Sequence, residues 1–134
     1  RLYKAISSVF DGYKNGVPRE KCFKQIHSEF NEYSGHGWCH TISNAMIVVA
    51  ALLYGNGDFG RSICMAVEAG FDTDCNGATV GSFMGALLGE SGIPEYLKNP
   101  INDTFSVGIS PYDNYSIRRF AEQCMELRTK LNEK

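Results

Sequence analysis

Asp72 and Asp74 stand one residue apart in the run Phe71-Asp72-Thr73-Asp74-Cys75-Asn76, directly ahead of a glycine-rich apolar stretch. Two carboxylates at that spacing repel each other unless protons or a cation lie between them. Oxygen donors on a short loop are what magnesium or calcium takes, and a helix start beside them offers free backbone N–H groups for a phosphate or a cation-held water. The functional reading is a hard-metal site at a helix entrance. Asp and Asn are also favoured N-caps, so the run taken alone is better explained by capping of orphan amides.

The elements around this run are helical. Leu2, Ile6, Val9, Phe10 and Tyr13 recur at spacings of three and four and predict a buried stripe on a helix from Leu2 to Tyr13, stopped by Asn15 and Gly16. Pro18 suits a first turn, and Cys22, Phe23, Ile26 and Phe30 carry the same period to about Tyr33. Thr41 to Tyr54 is apolar nearly all round, which places it inside a larger core. Phe59 to Gly70 reads as a short helix ending at glycine. Gly77 to Leu88 reads as a helix in which Gly77, Gly81, Gly85 and Gly89 line one face. Each glycine costs roughly 1 kcal/mol against alanine, and close approach of another helix backbone is the expected reason. From Gly92 to Tyr112 the prolines and asparagines predict turns and short helical pieces. Ile117, Phe120, Ala121, Cys124, Leu127 and Leu131 trace a last stripe, with Ser116 or Asp113 as N-cap. No segment has strand period. The expectation is a single all-α unit over residues 1–134, an orthogonally packed helical bundle of about six helices.

Composition excludes several classes. With 134 residues, 43% of them hydrophobic and 21% charged, the chain suits one moderate core. A net charge of -2 with both signs interspersed gives no field for phosphate backbones, so no nucleic-acid partner is expected. The apolar run Ala45 to Tyr54 is too short for the ~20 residues of a spanning helix, and no membrane association is expected. Five scattered cysteines without a CxxC pair favour a reducing, cytoplasmic setting. Arg1 opens inside a helix without an initiator methionine, which reads as a fragment, a processed chain or an engineered piece.

The run from Ala66 through Asp72-Thr73-Asp74 and Gly81 to Gly85-Ala86-Leu87-Leu88-Gly89 resembles the C-terminal signature of the ADP-ribosylglycohydrolase family. The likeness extends upstream through Trp38, His40, Asn44, Ala51-Leu52-Leu53 and Gly57-Asp58-Phe59, and downstream to Gly92-Ile93-Pro94. It covers about half the chain strongly and the terminal helix more loosely. The resemblance implies that the chain is the C-terminal portion of that fold and that Asp72 and Asp74 bind magnesium beside ADP-ribose, with two ions in the complete enzyme. Cys75 stands where the family usually has a threonine whose hydroxyl meets a metal, a softer donor at the same place. Phe71 stands where glycine is common, a change expected at the pocket wall. The family's other acidic ligands, an Asp-Asp pair and a residue that activates water, belong to an N-terminal half this sequence does not contain. Alone, the chain is therefore expected to bind metal weakly or not at all and to be inactive.

Other polar residues have bland readings beside functional ones. His36 and His40 are four apart, but Gly35 and Gly37 break the helix that would align them, so loop packing is favoured over a ligand pair. Trp38 can stack on adenine or anchor the core, with anchoring favoured. Asn44 inside an apolar helix must find a partner and is expected to tether the metal loop. Asn76 and Thr79 stand where a ribose or phosphate reaches the helix start, and Asn76 also suits a cap. Cys75 beside two carboxylates has its thiol pKa raised, which argues against a nucleophile. Glu20, Glu29 and Glu32 read as solvated faces of the second helix.

The reading that results is a magnesium-dependent hydrolase of ADP-ribosyl N- or O-glycosidic bonds, acting on an ADP-ribosylated protein or small molecule, with the activating carboxylate outside this chain. The alternative is a non-catalytic ADP-ribose-binding or helical interaction module of the same fold. Expected partners include the absent N-terminal half, or a second copy through exposed apolar surface.

Overall fold

A computed structural model describes residues 1–132 of the chain. The class is all-α. Contacts group the chain into two compact units, Arg1–Ile93 and Pro94–Lys134.

The first unit holds α1 (Leu2–Lys14), α2 (Arg19–Glu29), α3 (Thr41–Gly55), α4 (Phe59–Glu68), α5 (Thr73–Leu88) and a 3-10 turn at Glu90–Gly92. Helix α3 packs against each of the other four, which is why it is apolar all round. One side of it joins Val9, Cys22, Ile26 and Phe71 through Met46, Ile47 and Ala50. Its other side joins Met65, Ala66, Val80 and Met84 through Val48 and Ala51. The predicted α1 stripe is only partly buried: Val9 is in the core, while Leu2 and Phe10 are 44% and 42% exposed.

Two boundaries differ from the sequence reading. Helix α2 ends at Glu29, because Phe30 takes an extended backbone and the Asn31 side chain accepts from the Tyr33 amide at 2.9 Å in a local turn. Glu32 therefore lies in a loop and not on a helix face. Helix α5 begins at Thr73, four residues ahead of Gly77, with the Asp72 carbonyl accepting from the Asn76 amide at 2.8 Å. Asp74, Cys75 and Asn76 thus form its first turn.

The glycine face of α5 does not meet a helix backbone. It receives side chains: a Cβ on Gly77 would lie 3.2 Å from Val67 Cγ2, and one on Gly81 would lie 3.4 Å from Ile63 Cδ1. The missing Cβ atoms make a groove for two branched residues of α4. Backbone approach occurs instead between α3 and α4, where a Cβ on Gly55 would stand 3.0 Å from the Ser62 Cα.

The second unit contains α6 (Glu95–Lys98), a 3-10 turn at Asn99–Ile101, β1 (Thr104–Phe105), β2 (Tyr115–Ser116) and α7 (Ile117–Asn132). The two strands pair antiparallel, Thr104 opposite Ser116 and Phe105 opposite Tyr115. Strands of two residues are too short to show a period, so this ladder is a correction to the strand-free reading. Ser116 caps α7 by accepting from the Arg119 amide at 3.1 Å, and Asp103 reinforces the start by accepting from the Arg118 amide at 2.9 Å and the Ser116 hydroxyl at 2.6 Å. Asp113, the other candidate cap, accepts from the neighbouring Asn114 amide at 3.1 Å. The apolar stripe of α7 is exposed, with Leu127 at 57% and Leu131 at 63%. Among the described residues no helix is long and apolar enough to cross a membrane.

Candidate metal centre

The turn between α4 and α5 decides where the two aspartates point. Gly70 and Phe71 are consecutive left-handed residues, at φ +82° and +59°. Glycine takes that conformation freely, whereas for phenylalanine it costs about 1 kcal/mol or more. Burial of the Phe71 ring in the α1–α2–α3 core, 4.8 Å from the His27 ring, offsets this cost. Phe71 therefore sits in the core and not on the pocket wall. Three side chains grip the same turn. His27 Nε2 donates to the Ala69 carbonyl at 2.8 Å, Glu32 accepts from the Phe71 amide at 2.8 Å, and Asn44 Oδ1 accepts from the Asp72 amide at 3.1 Å. Asn44 Oδ1 also accepts from Asn76 Nδ2 at 2.7 Å, while its own Nδ2 donates to the carbonyls of Trp38 and His40 at 2.9 and 3.0 Å. Asn44 is the tether its position suggests. Glu32, read from sequence as a solvated helix residue, is half-buried and bonded to the loop.

The donor atoms of Asp72, Asp74 and Cys75 all lie within 4.8 Å of one another. Asp72 occupies the N-cap position of α5 but its side chain caps no amide, so capping does not account for this carboxylate. Its hydrogen bond to Cys75, together with the charges of Asp72 and Asp74, pushes the Cys75 thiol above its ordinary pKa. Asp72 and Cys75 of this cluster line a cleft of about 400 Å³, together with the polar Asn44, Asn76 and Thr79 and the apolar Ile6, Ala45, Val48 and Val49. A small ligand with a polar and an apolar end matches such a lining.

The sequence model of the ADP-ribosylglycohydrolase family matches residues 1–133. The chain belongs to this family. No curated protein and no solved structure matches it.

Membership makes the chain a hydrolase, in a family whose members are typically metal-dependent. The residues present fit a divalent cation: two carboxylates in reach of one ion supply hard oxygen donors, and the thiol adds a softer third. Asn76, only 3% exposed, and Thr79, whose hydroxyl donates to the Cys75 carbonyl at 2.8 Å, both line the cleft. Trp38 is not part of that lining, and at 57% exposure its ring does not anchor the core either. Its contribution is the carbonyl that orients Asn44. The rings of His36, His40 and Phe30 lie 5.2 Å from one another, His36 edge-on to the other two, the packing arrangement their glycine neighbours suggest. Cys39 and Thr41 line the cleft without having been singled out by pattern. Their only sequence signal is proximity to the start of α3.

Proposed function

We propose that this chain carries the Asp-Thr-Asp part of a magnesium site that hydrolyses ADP-ribosyl N- or O-glycosidic bonds. The supporting observation is the grouping of the Asp72, Asp74 and Cys75 donor atoms at the N-terminus of α5, beside a cleft that Asp72 and Cys75 line together with polar and apolar side chains. Asp72 and Asp74 hold magnesium, of which the complete enzyme takes two ions, with Cys75 as a third donor. Bound there, the metal supplies charge stabilisation and orientation for the ribose hydroxyls. The chain's own residues do the rest of the positioning. Asn76 and Thr79 meet a ribose hydroxyl or a phosphate oxygen at the helix start, where the free amides of the first turn favour negative charge. The apolar wall of Ile6, Val48 and Val49 keeps water from one side of the bound group. Hydrolysis joins a water oxygen to the anomeric carbon, the glycosidic bond breaks, and the departing group leaves with its electron pair and gains a proton. The carboxylate that takes the proton from water is assigned to a segment outside this chain, so the chain alone is inactive.

The substrate is an ADP-ribosylated protein or small molecule. Free thiols at Cys39, Cys64, Cys75 and Cys124 suit a reducing cytoplasm. The exposed Phe83 and Leu87 of α5 support association with another part of the fold or a second copy. In the complete protein, Asp72→Asn should abolish metal-dependent release of ADP-ribose; unchanged turnover rejects the assignment. The soft donor Cys75 favours a second reading, a binding module of the same fold. Coupled binding of magnesium and ADP-ribose without turnover, once the remaining acidic segment is supplied, would select it.

A further inference from the structure

We infer that Glu32 is a positioning residue of the metal loop, a role that rests on the cation-binding reading of Asp72 and Asp74. Glu32 comes from the α2–α3 loop, 39 residues away from Phe71 in sequence, and its Oε2 accepts from the Phe71 amide at 2.8 Å. That amide belongs to the second of two left-handed residues, immediately before Asp72. The carboxylate also lies along Gly70, where a Cβ would come within 3.2 Å of Oε2, a tight contact that would press on Glu32. The next amide in the chain, that of Asp72, is taken by Asn44 from α3. Two successive N–H groups of one turn are thus fixed by two side chains from separate elements.

Phe71 in a left-handed conformation has an extended alternative that its side chain prefers. Relaxing to it would swing Asp72 away from Asp74 and Cys75. Asn44 acts downstream of that choice, and Glu32 acts on it directly. Groups that orient metal ligands typically contribute tenfold to hundredfold in ion affinity. Glu32 does this without touching the ion or the ligand.

The test uses the full chain with Glu32→Ala and Glu32→Gln, the latter keeping an acceptor oxygen on a side chain of equal length. Manganese(II) is the probe ion, titrated calorimetrically with and without ADP-ribose, alongside urea unfolding and amide hydrogen exchange. The expected result for Glu32→Ala is a loss of manganese affinity of about tenfold to hundredfold, faster exchange at Phe71 and Asp72, and unchanged exchange in the cores of α3 and α4. Glu32→Gln should recover most of the affinity. Wild-type affinity in Glu32→Ala, a loss that merely tracks global unfolding, or failure of Gln to rescue would overturn the inference. If the unaltered chain, without the acidic segment assigned outside it, binds neither manganese nor ADP-ribose, the functional proposal is left to Asp72→Asn in the complete protein and the positioning role is decided by exchange: acceleration confined to Phe71 and Asp72 in Glu32→Ala upholds it, and no change removes it.

Discussion

Asn44 and Asp72 are joined by a bond from the Asp72 amide to the Asn44 side-chain oxygen, 3.1 Å long, and the same oxygen accepts from Asn76 at 2.7 Å. A helix buried in both cores of the first unit thereby holds the entrance of α5. Replacing Asn44 with Ala leaves the amide of Asn76, itself 3% exposed, and the amide of Asp72 without their acceptor. Each orphaned group costs about 1–3 kcal/mol. Urea unfolding of Asn44→Ala should show a loss of about 2–4 kcal/mol, and a midpoint unchanged from wild type would contradict the tether.

The glycines separate into close and roomy positions. Gly55→Ala drives a methyl against the Ser62 backbone and should destabilise by about 1–3 kcal/mol. Gly85→Ala meets only Ile93 Cδ1 at 3.9 Å and should instead gain up to about 1 kcal/mol from helix propensity. Thermal melts of the two variants should shift in opposite directions. Shifts of the same sign would mean that the α3–α4 approach is looser than described.

Cobalt(II) reports on the third donor of the cluster. Titrated into the chain, it should give a near-ultraviolet thiolate-to-metal absorption that Cys75→Ser abolishes and Cys39→Ser leaves intact. Replacing Asp72 with Asn should weaken cobalt and magnesium binding alike. A cobalt complex lacking the thiolate band would confine the ion to the two carboxylates.

Strong acid should loosen the start of α7. The hydrogen bond from Ser116, then that from the Arg118 amide, hold the Asp103 carboxyl below the ordinary aspartate range. A depressed carboxyl contributes stability that is complete above its unfolded pKa and is lost as pH falls through the folded value. Exchange protection of the Arg118 amide should therefore persist at pH 5 and fall below about pH 4. Asp103→Asn should have less protection at pH 5 and little further change on acidification. Identical profiles for the two proteins would assign the acid response elsewhere.

Much of the fold was legible because helical period is local. Leu2 to Tyr13, Thr41 to Tyr54 and the last helix all stand where spacing puts them, within a residue or two. Burial was less legible, since period marks which residues share a face but not whether anything covers it; Leu127 and Leu131 lie on a regular stripe and remain exposed. The two-residue strands carry no periodic signal at all. In the site, Asp72, Asp74 and Cys75 were visible as neighbours in sequence, and Asn44 as a polar residue in an apolar helix. Glu32 was not, because its partner is far along the chain and its type is common on solvated helices. The start of α5 was missed for a related reason: glycines marked the helix, whereas the Asp72 carbonyl began it four residues earlier.

Phe71 places its ring among Val9, Ile26 and Met46 while its amide belongs to the turn that aims Asp72. One residue thus answers to two selective pressures, interior volume and ligand geometry. Drift in the size of those interior neighbours has a route to the chemistry, so positions that never meet a ligand are constrained by it. Compensating pairs of substitutions should accordingly join the α1–α2 interior to the Asp-Thr-Asp turn.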